Sequence, residues 1–224
     1  MTTTTTTTRP DLELLYFPIC GRAEPIRLLL AHVGRAYKNT TVAMDQWPSL
    51  KPTLKFGQMP VLIERDGGRE TQIPQSMAIV RHLAREHDLY GANEAERTMC
   101  DVVTEKLVEW RNAFNQVAYF PRFAKDKEAI AKYMAESLPK ERAIFDRLLT
   151  ESAGRGSQFF VGSSLTFVDI LVFDTADAHL QLDPASLDGA ERLQSFVETM
   201  RALPGVKERI AQRGPTDFEV FAKR

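Results

Sequence analysis

The sequence predicts a small α/β domain followed by an all-α domain. Three observations carry that prediction. The order strand, helix, strand, hairpin, helix fills the chain as far as Tyr90, strand signals then stop, and from Glu94 the apolar residues recur at helical spacing. With 224 residues the chain is long enough to bury a sizeable core in one large or two small domains.

Each element has its own justification. "DLELLYF" (11–17) reads as a short buried strand. "GRAEPIRLLLAHVG" places Ile26, Leu29, Leu30 and Val33 on one helical face. Gly21 opens that helix, Pro25 falls in its first turn and Gly34 closes it. A second strand is expected around "AYKNTTVA". The stretch "MDQWPSLKPTLKFGQ", with Pro48, Pro52 and Gly57, is expected to be irregular or briefly helical. "MPVLIERDGGRETQI" reads as two strands joined at Asp66-Gly67-Gly68, and "QSMAIVRHLAREHDLYG" as a helix with Ser76 near its N-cap. "GANEAER" then serves as a hinge. Helices are expected over 94–119, 125–136, 139–153, 167–181, 189–202 and 204–213, with prolines between them or in first turns. Thr166 and Asp169 form a Thr-x-x-Asp cap, flanked by Leu165 and Ile170 at the positions of a hydrophobic staple.

Composition excludes several classes. The formal net charge of -1 supplies no electrostatic reason for nucleic acid or an acidic membrane surface as partner. No apolar stretch is long enough for a membrane span. Two cysteines cannot form a disulfide framework, and a free Cys20 suits a reducing cytosol. "MTTTTTTTRP" has no apolar core of a signal peptide and reads as a disordered tail. The four histidines make no ligand spacing, since His82 and His87 are five apart, so no metal site is expected.

"YFPICGRAEPIRLLL", Trp47 with Leu50-Lys51, "FGQMPVL" and "QSMAIVRHLARE" stand in one order at compatible spacing. Together they resemble a cytosolic glutathione transferase of the tyrosine-type classes, sigma-like and near mu and pi. The resemblance covers about residues 11–215. It implies a thioredoxin-like N-terminal domain (11–90), an all-helical domain (94–215) that forms the electrophile pocket, and tails at 1–10 and 216–224.

Glutathione's thiol has a pKa near about 8.5, and lowering it to about 6.5 takes roughly 2.7 kcal/mol of selective thiolate stabilisation. One hydrogen bond to a charged acceptor supplies about 1.5–3 kcal/mol, and a tyrosine hydroxyl stays a donor at neutral pH. The resemblance gives that role to Tyr16, with Arg22 adding positive potential. It gives Met59, before a cis Pro60, the pairing with the cysteinyl backbone. Gln75 and Ser76 at a helix start would hold the γ-glutamyl end; Trp47, Lys51 and Gln58 would hold the glycyl carboxylate. Asp101 matches the aspartate that reaches across a homodimer to the partner's ligand, and Phe56 is either the aromatic key of that dimer or a local core contact. Phe17, Trp110 and Phe114, with the tail "DFEVFAKR" as a cover, are the candidates for the electrophile pocket. The implied activity is detoxifying conjugation of glutathione, the co-substrate, to hydrophobic electrophiles, with peroxidase or isomerase side activity. Cys20 keeps an alternative open, because its offset from Ala23-Glu24 resembles that of omega-type thiol transferases and a helix N-terminus lowers a thiol pKa. Gly21 in place of proline and the Tyr16-Phe17 pair argue against it. Cys100 reads as packing. A non-catalytic ligand carrier or structural relative is the remaining alternative.

Overall fold

The computed structural model describes residues 9–118 and 126–213. The Thr-rich tail, the expected helix end at 119, and the C-terminal cover over 217–224 lie outside the described residues. The first domain is built on a four-stranded sheet. Its strands are β1 (Asp11–Tyr16), β2 (Lys38–Thr41), β3 (Val61–Asp66) and β4 (Arg69–Pro74), in the order β2-β1-β3-β4. β2 runs parallel to β1, which requires a crossover helix, while β3 and β4 are antiparallel neighbours joined by a tight turn. Gly67 and Gly68 supply that turn, with φ of +53° and +83°, a conformation open to glycine at both central positions.

β1 is central and is buried from Leu12 to Tyr16, its one charged residue in that span, Glu13, being paired with Lys38 and Arg65. Side-chain alternation divides the strand. Leu12, Leu14 and Tyr16 join the large core beneath the helices, and Leu15 joins a small cluster with Leu54, Val61 and Ile63 on the opposite face. Two helices, α1 (Glu24–His32) and α3 (Ser76–Glu86), pack against each other on the first face; between them in the chain, α2 (Trp47–Leu50) is a single turn continued by the 3-10 turn Lys51–Thr53. Pro48 and Pro52 sit in the first turns of those two short pieces, where a missing N–H breaks no hydrogen bond.

The second domain holds α4 (Glu94–Ala118), α5 (Lys127–Lys132), α6 (Leu138–Gly154), α7 (Phe167–Leu182), α8 (Glu191–Ala202) and α9 (Val206–Ala211). The fold is a thioredoxin-like α/β domain followed by a helical domain. One boundary differs from expectation. No break separates the second and third helices of this domain, because a π-helical turn over Tyr133–Ser137 carries the chain from α5 into α6. Pro139 lies in the first turn of α6, where the widened turn accommodates its missing N–H. α7 is buried almost throughout and starts at the expected cap. The Thr166 backbone N–H and hydroxyl both donate to Asp169, at 2.7 and 2.9 Å, and its second oxygen accepts from Phe160 N–H at 2.9 Å. α1 packs against both α7 and α9, and one apolar core runs from Leu12 to Val206 through both domains.

Candidate active site

A cleft of about 470 Å³ opens at the end of the sheet where β1 passes into α1. It is lined by Phe17 and Arg22 from the β1–α1 connection, Trp47 from α2, and Gly57, Gln58, Met59 and Pro60 before β3. Gln75 and Ser76 at the start of α3 complete it. These stretches lie far apart in sequence and meet because β1 and β3 are neighbours and α3 returns over the sheet beside α1.

The Met59–Pro60 peptide is cis. Gln75 has φ of +75°, a left-handed backbone that a non-glycine residue enters at a cost, and from it α3 begins. Gln75 is the N-cap, and Ser76, buried, is the first helical residue, next to the cap as expected. Gln75 Nε2 donates to Gln58 Oε1 at 3.2 Å across the cleft, and the rings of Phe17 and Trp47 meet edge to face at 5.5 Å.

Tyr16 is 7% exposed at the end of β1. Its hydroxyl oxygen accepts the backbone N–H of Arg22 at 3.0 Å, which ties it to a residue lining the cleft. This approach requires glycine at position 21. Gly21 has φ of +43°, and a Cβ there would lie 2.7 Å from the Tyr16 hydroxyl. The Arg27 guanidinium lies 5.9 Å from the centre of the Tyr16 ring. Cys20 is half-buried and does not line the cleft; its carbonyl accepts from the N–H groups of Ala23 and Glu24, at 3.2 and 3.0 Å, at the turn into α1. Cys100 is fully buried in α4, which pushes its thiol up to about 11, so it is packing and not a nucleophile.

Several sequence candidates fall elsewhere. Lys51 is exposed beside the cleft, its stem against Gly57. Trp110 and Phe114 correct the expected pocket lining, since both belong to the interior of the helical domain. Trp110 is 0% exposed, stacked 4.9 Å from Phe145, and Phe114 is 1% exposed with its ring 3.9 Å from that of His179. Helical spacing put them on one face of α4, and that face turns inward toward α6 and α7. Asp101, expected to act across a dimer on the partner's ligand and not in its own chain's cleft, lies on α4 outside that cleft. Its carboxylate is neutralised within the chain by Arg81 at 2.9 Å and accepts the Tyr90 hydroxyl at 2.9 Å. Phe56 is 57% exposed, which excludes the core-contact alternative.

Pairing histidines with each other missed one cluster. His82 Nε2 lies 2.7 Å from Glu64 and 3.7 Å from Glu86, three groups able to hold a metal ion and equally able to serve as a surface ion pair. Arg111 was also missed. It lies on α4, is 8% exposed, and donates to the Gly21 carbonyl at 2.9 Å while pairing with Asp174. No local pattern marks a contact between residues so far apart in the chain.

The family model for the glutathione S-transferase N-terminal domain matches residues 11–85, and that for the C-terminal domain matches residues 108–213. A glutathione S-transferase P of Caenorhabditis elegans is 36% identical over 202 residues, covering 90% of this chain and 93% of the relative. Among solved structures, the pi-class glutathione S-transferase of Onchocerca volvulus superposes with a TM-score of 0.79 at 35% identity, covering 91% of this chain and 93% of its own. The sigma-class enzyme of Fasciola hepatica superposes with a TM-score of 0.84 at 26% identity, covering 93% of this chain and 99% of its own. With both domains matched in order and relatives aligned over nine-tenths of its length, the chain belongs to the glutathione S-transferase family.

Proposed function

We propose that the cleft binds glutathione and that Tyr16 hydrogen-bonds its thiolate, which then attacks a hydrophobic electrophile. The observation that carries this reading is a cleft lined by Arg22, Met59, Gln75 and Ser76, with Tyr16 buried behind the lining and its hydroxyl oxygen accepting the backbone N–H of Arg22. An accepted N–H polarises the hydroxyl and makes its proton a stronger donor. Met59 next to Pro60 pairs with the cysteinyl backbone of the tripeptide. Gln75 and Ser76, at the N-terminus of an eleven-residue helix, receive the γ-glutamyl carboxylate on orphan N–H groups. Trp47, Gln58 and Lys51 take the glycyl carboxylate at the other end. The electrophile lies beside Phe17, which contributes the apolar wall.

The experiment compares wild type, Tyr16→Phe and Cys20→Ser with glutathione plus an aryl halide, and separately with a glutathione mixed disulfide. Conjugation is expected to fall about 10–100-fold in Tyr16→Phe, the worth of one charge-assisted hydrogen bond, and to change little in Cys20→Ser. Disulfide reduction abolished by Cys20→Ser, with negligible conjugation throughout, would overturn the reading in favour of a thiol transferase.

The same reading makes the protein a cytosolic homodimer. No helix among the described residues is long and apolar enough to cross a membrane. Phe56, with Lys55 5.8 Å from its ring, is an exposed aromatic fit for insertion into a second copy. Phe56→Ser is expected to shift sedimentation toward the monomer at micromolar concentration; an unchanged dimer would place the interface elsewhere.

A further inference from the structure

One peptide group joins the candidate catalytic tyrosine to the helical domain. The carbonyl between Gly21 and Arg22 accepts Arg111 Nη2 at 2.9 Å, and the N–H of the same peptide donates to the Tyr16 hydroxyl at 3.0 Å. Behind Arg111 stands Asp174 of α7, its Oδ2 also 2.9 Å from Nη2. Both side chains are more than nine-tenths buried, and Arg111 Nη1 is buried with no hydrogen-bond partner among the described residues. The guanidinium, paired on one side with Asp174, is thus set against one end of a polarisable amide whose other end touches the Tyr16 oxygen. Neither Arg111 nor Asp174 lines the cleft.

We propose that Arg111, held by Asp174, is a positioning residue for the Tyr16 hydroxyl and acts through the Gly21–Arg22 peptide. The inference rests on the reading that Tyr16 stabilises the glutathione thiolate. A cation on the carbonyl oxygen draws electron density through the amide and strengthens its N–H as a donor. The tyrosine oxygen that accepts this N–H becomes in turn a stronger donor to a thiolate. Cooperative strengthening of about 10–30% per bond, applied to a charge-assisted hydrogen bond, amounts to an effect of about two- to fivefold on the thiolate equilibrium. Gly21 makes the chain of contacts possible, since any Cβ at this position would meet the Tyr16 hydroxyl. Among the described residues, Arg22 at the cleft and Arg27 of α1 are further charged groups near Tyr16. Arg27 is engaged by Glu24, Asn39 and the Ile19 carbonyl, so the substitutions below leave its contacts in place.

The test reads the ultraviolet absorbance of enzyme-bound glutathione thiolate as pH is raised, together with kcat and KM for glutathione. Arg111→Met combined with Asp174→Asn removes both charges, so neither is left buried and unpaired. This variant is expected to lower the thiolate fraction on the acid side of the titration about two- to fivefold, with KM for glutathione little changed. Asp174→Asn alone keeps an oxygen that accepts from Arg111 and the cation at the Gly21 carbonyl, but leaves that cation buried without a counter-charge. It is therefore expected to lower the denaturation midpoint while keeping a near wild-type thiolate titration. The deciding arm repeats the double substitution in the Tyr16→Phe background, where it is expected to have no further effect. An equal effect in that background, or no effect with Tyr16 present, overturns the proposal while leaving the role of Tyr16 intact. If Tyr16→Phe itself leaves the thiolate titration unchanged, the reading of Tyr16 fails and this inference fails with it.

Discussion

At the scale of single residues, Gly21 is the position where the site is most constrained. Its φ of +43° and the 2.7 Å that would separate a Cβ from the Tyr16 hydroxyl leave no room for a side chain. Gly21→Ala is expected to cost about 1–2 kcal/mol from the left-handed backbone alone and to push the hydroxyl off the Arg22 N–H. Chemical denaturation measures the first effect and aryl-halide conjugation the second. Activity falling no more than stability would show that the Tyr16 position is not critical. Of the residues that the family resemblance singled out, Arg22, Gln58, Met59 and Ser76 meet at one cleft, because each sits at a turn or at the end of an element on the same side of the sheet. Trp110 and Phe114 were misassigned for the converse reason. An aromatic stripe on a helix has the same spacing whether it faces a pocket or a core, and only the packing of α6 and α7 decided.

At the scale of elements, the helical domain is pinned by a buried polar chain. Trp110 Nε1 donates to the Tyr133 hydroxyl at 3.1 Å, Tyr133 and His179 Nε2 lie 2.8 Å apart, and His179 Nδ1 is 2.7 Å from the Thr175 carbonyl. The carbonyl can only accept, so the proton sits on Nδ1, and Nε2 accepts from Tyr133. The Trp110 indole N–H, the Tyr133 hydroxyl and both His179 ring nitrogens are then satisfied. Tyr133→Phe strands the indole N–H and one imidazole nitrogen and is expected to cost about 2–3 kcal/mol by urea denaturation, with glutathione binding unchanged; a loss below the error of the fit would show that the chain is dispensable. Burial holds His179 down to about 4 against an ordinary 6.5. The unfolded chain therefore takes up this proton near pH 6.5 and the native state only near pH 4, so stability falls as pH drops through that interval. His179→Phe is expected to flatten this part of the stability–pH curve, and an unaltered slope would assign it to other groups. The capping box at Thr166 and Asp169 and the Asp66–Gly68 hairpin were legible, since both are set by residues within a few positions of each other.

At the scale of the whole molecule, the two domains are locked by charge as well as by core. Glu24 at the start of α1 is 1% exposed and accepts Arg209 at 2.7 and 3.0 Å, Arg213 at 2.8 Å and Arg27 at 3.3 Å. Arg213 also bonds Asp177 of α7, which pairs in turn with Arg201 of α8 at 2.8 Å. Burial alone would raise the Glu24 carboxyl, but Arg213, Arg209 and Arg27 outweigh it and bring it to about 2. Because its folded value lies below the ordinary 4.5, the contribution is fully present above that pH and is lost as pH falls toward 2. Its size is on the order of 3 kcal/mol. Glu24→Gln leaves buried arginines uncompensated and is expected to destabilise by about 3–5 kcal/mol. Calorimetry at pH 7 and pH 3 checks this, the difference from wild type shrinking in acid; a difference independent of pH would exclude the ionic origin.

The sequence by itself determined the order of elements and the division into an α/β domain and a helical one, which follow from periodicity, turn chemistry and caps acting over a few residues. The motifs that gather around the cleft were legible through their resemblance, in one order, to the glutathione transferases. Tertiary structure alone decided that Arg111 reaches the peptide beside Tyr16, that Glu24 meets three arginines, and that Arg81 occupies Asp101. It also decided which face of α4 is sealed. Such contacts join residues brought together only when the helices pack on the sheet, and burial then sets their energies, so no local pattern encodes them.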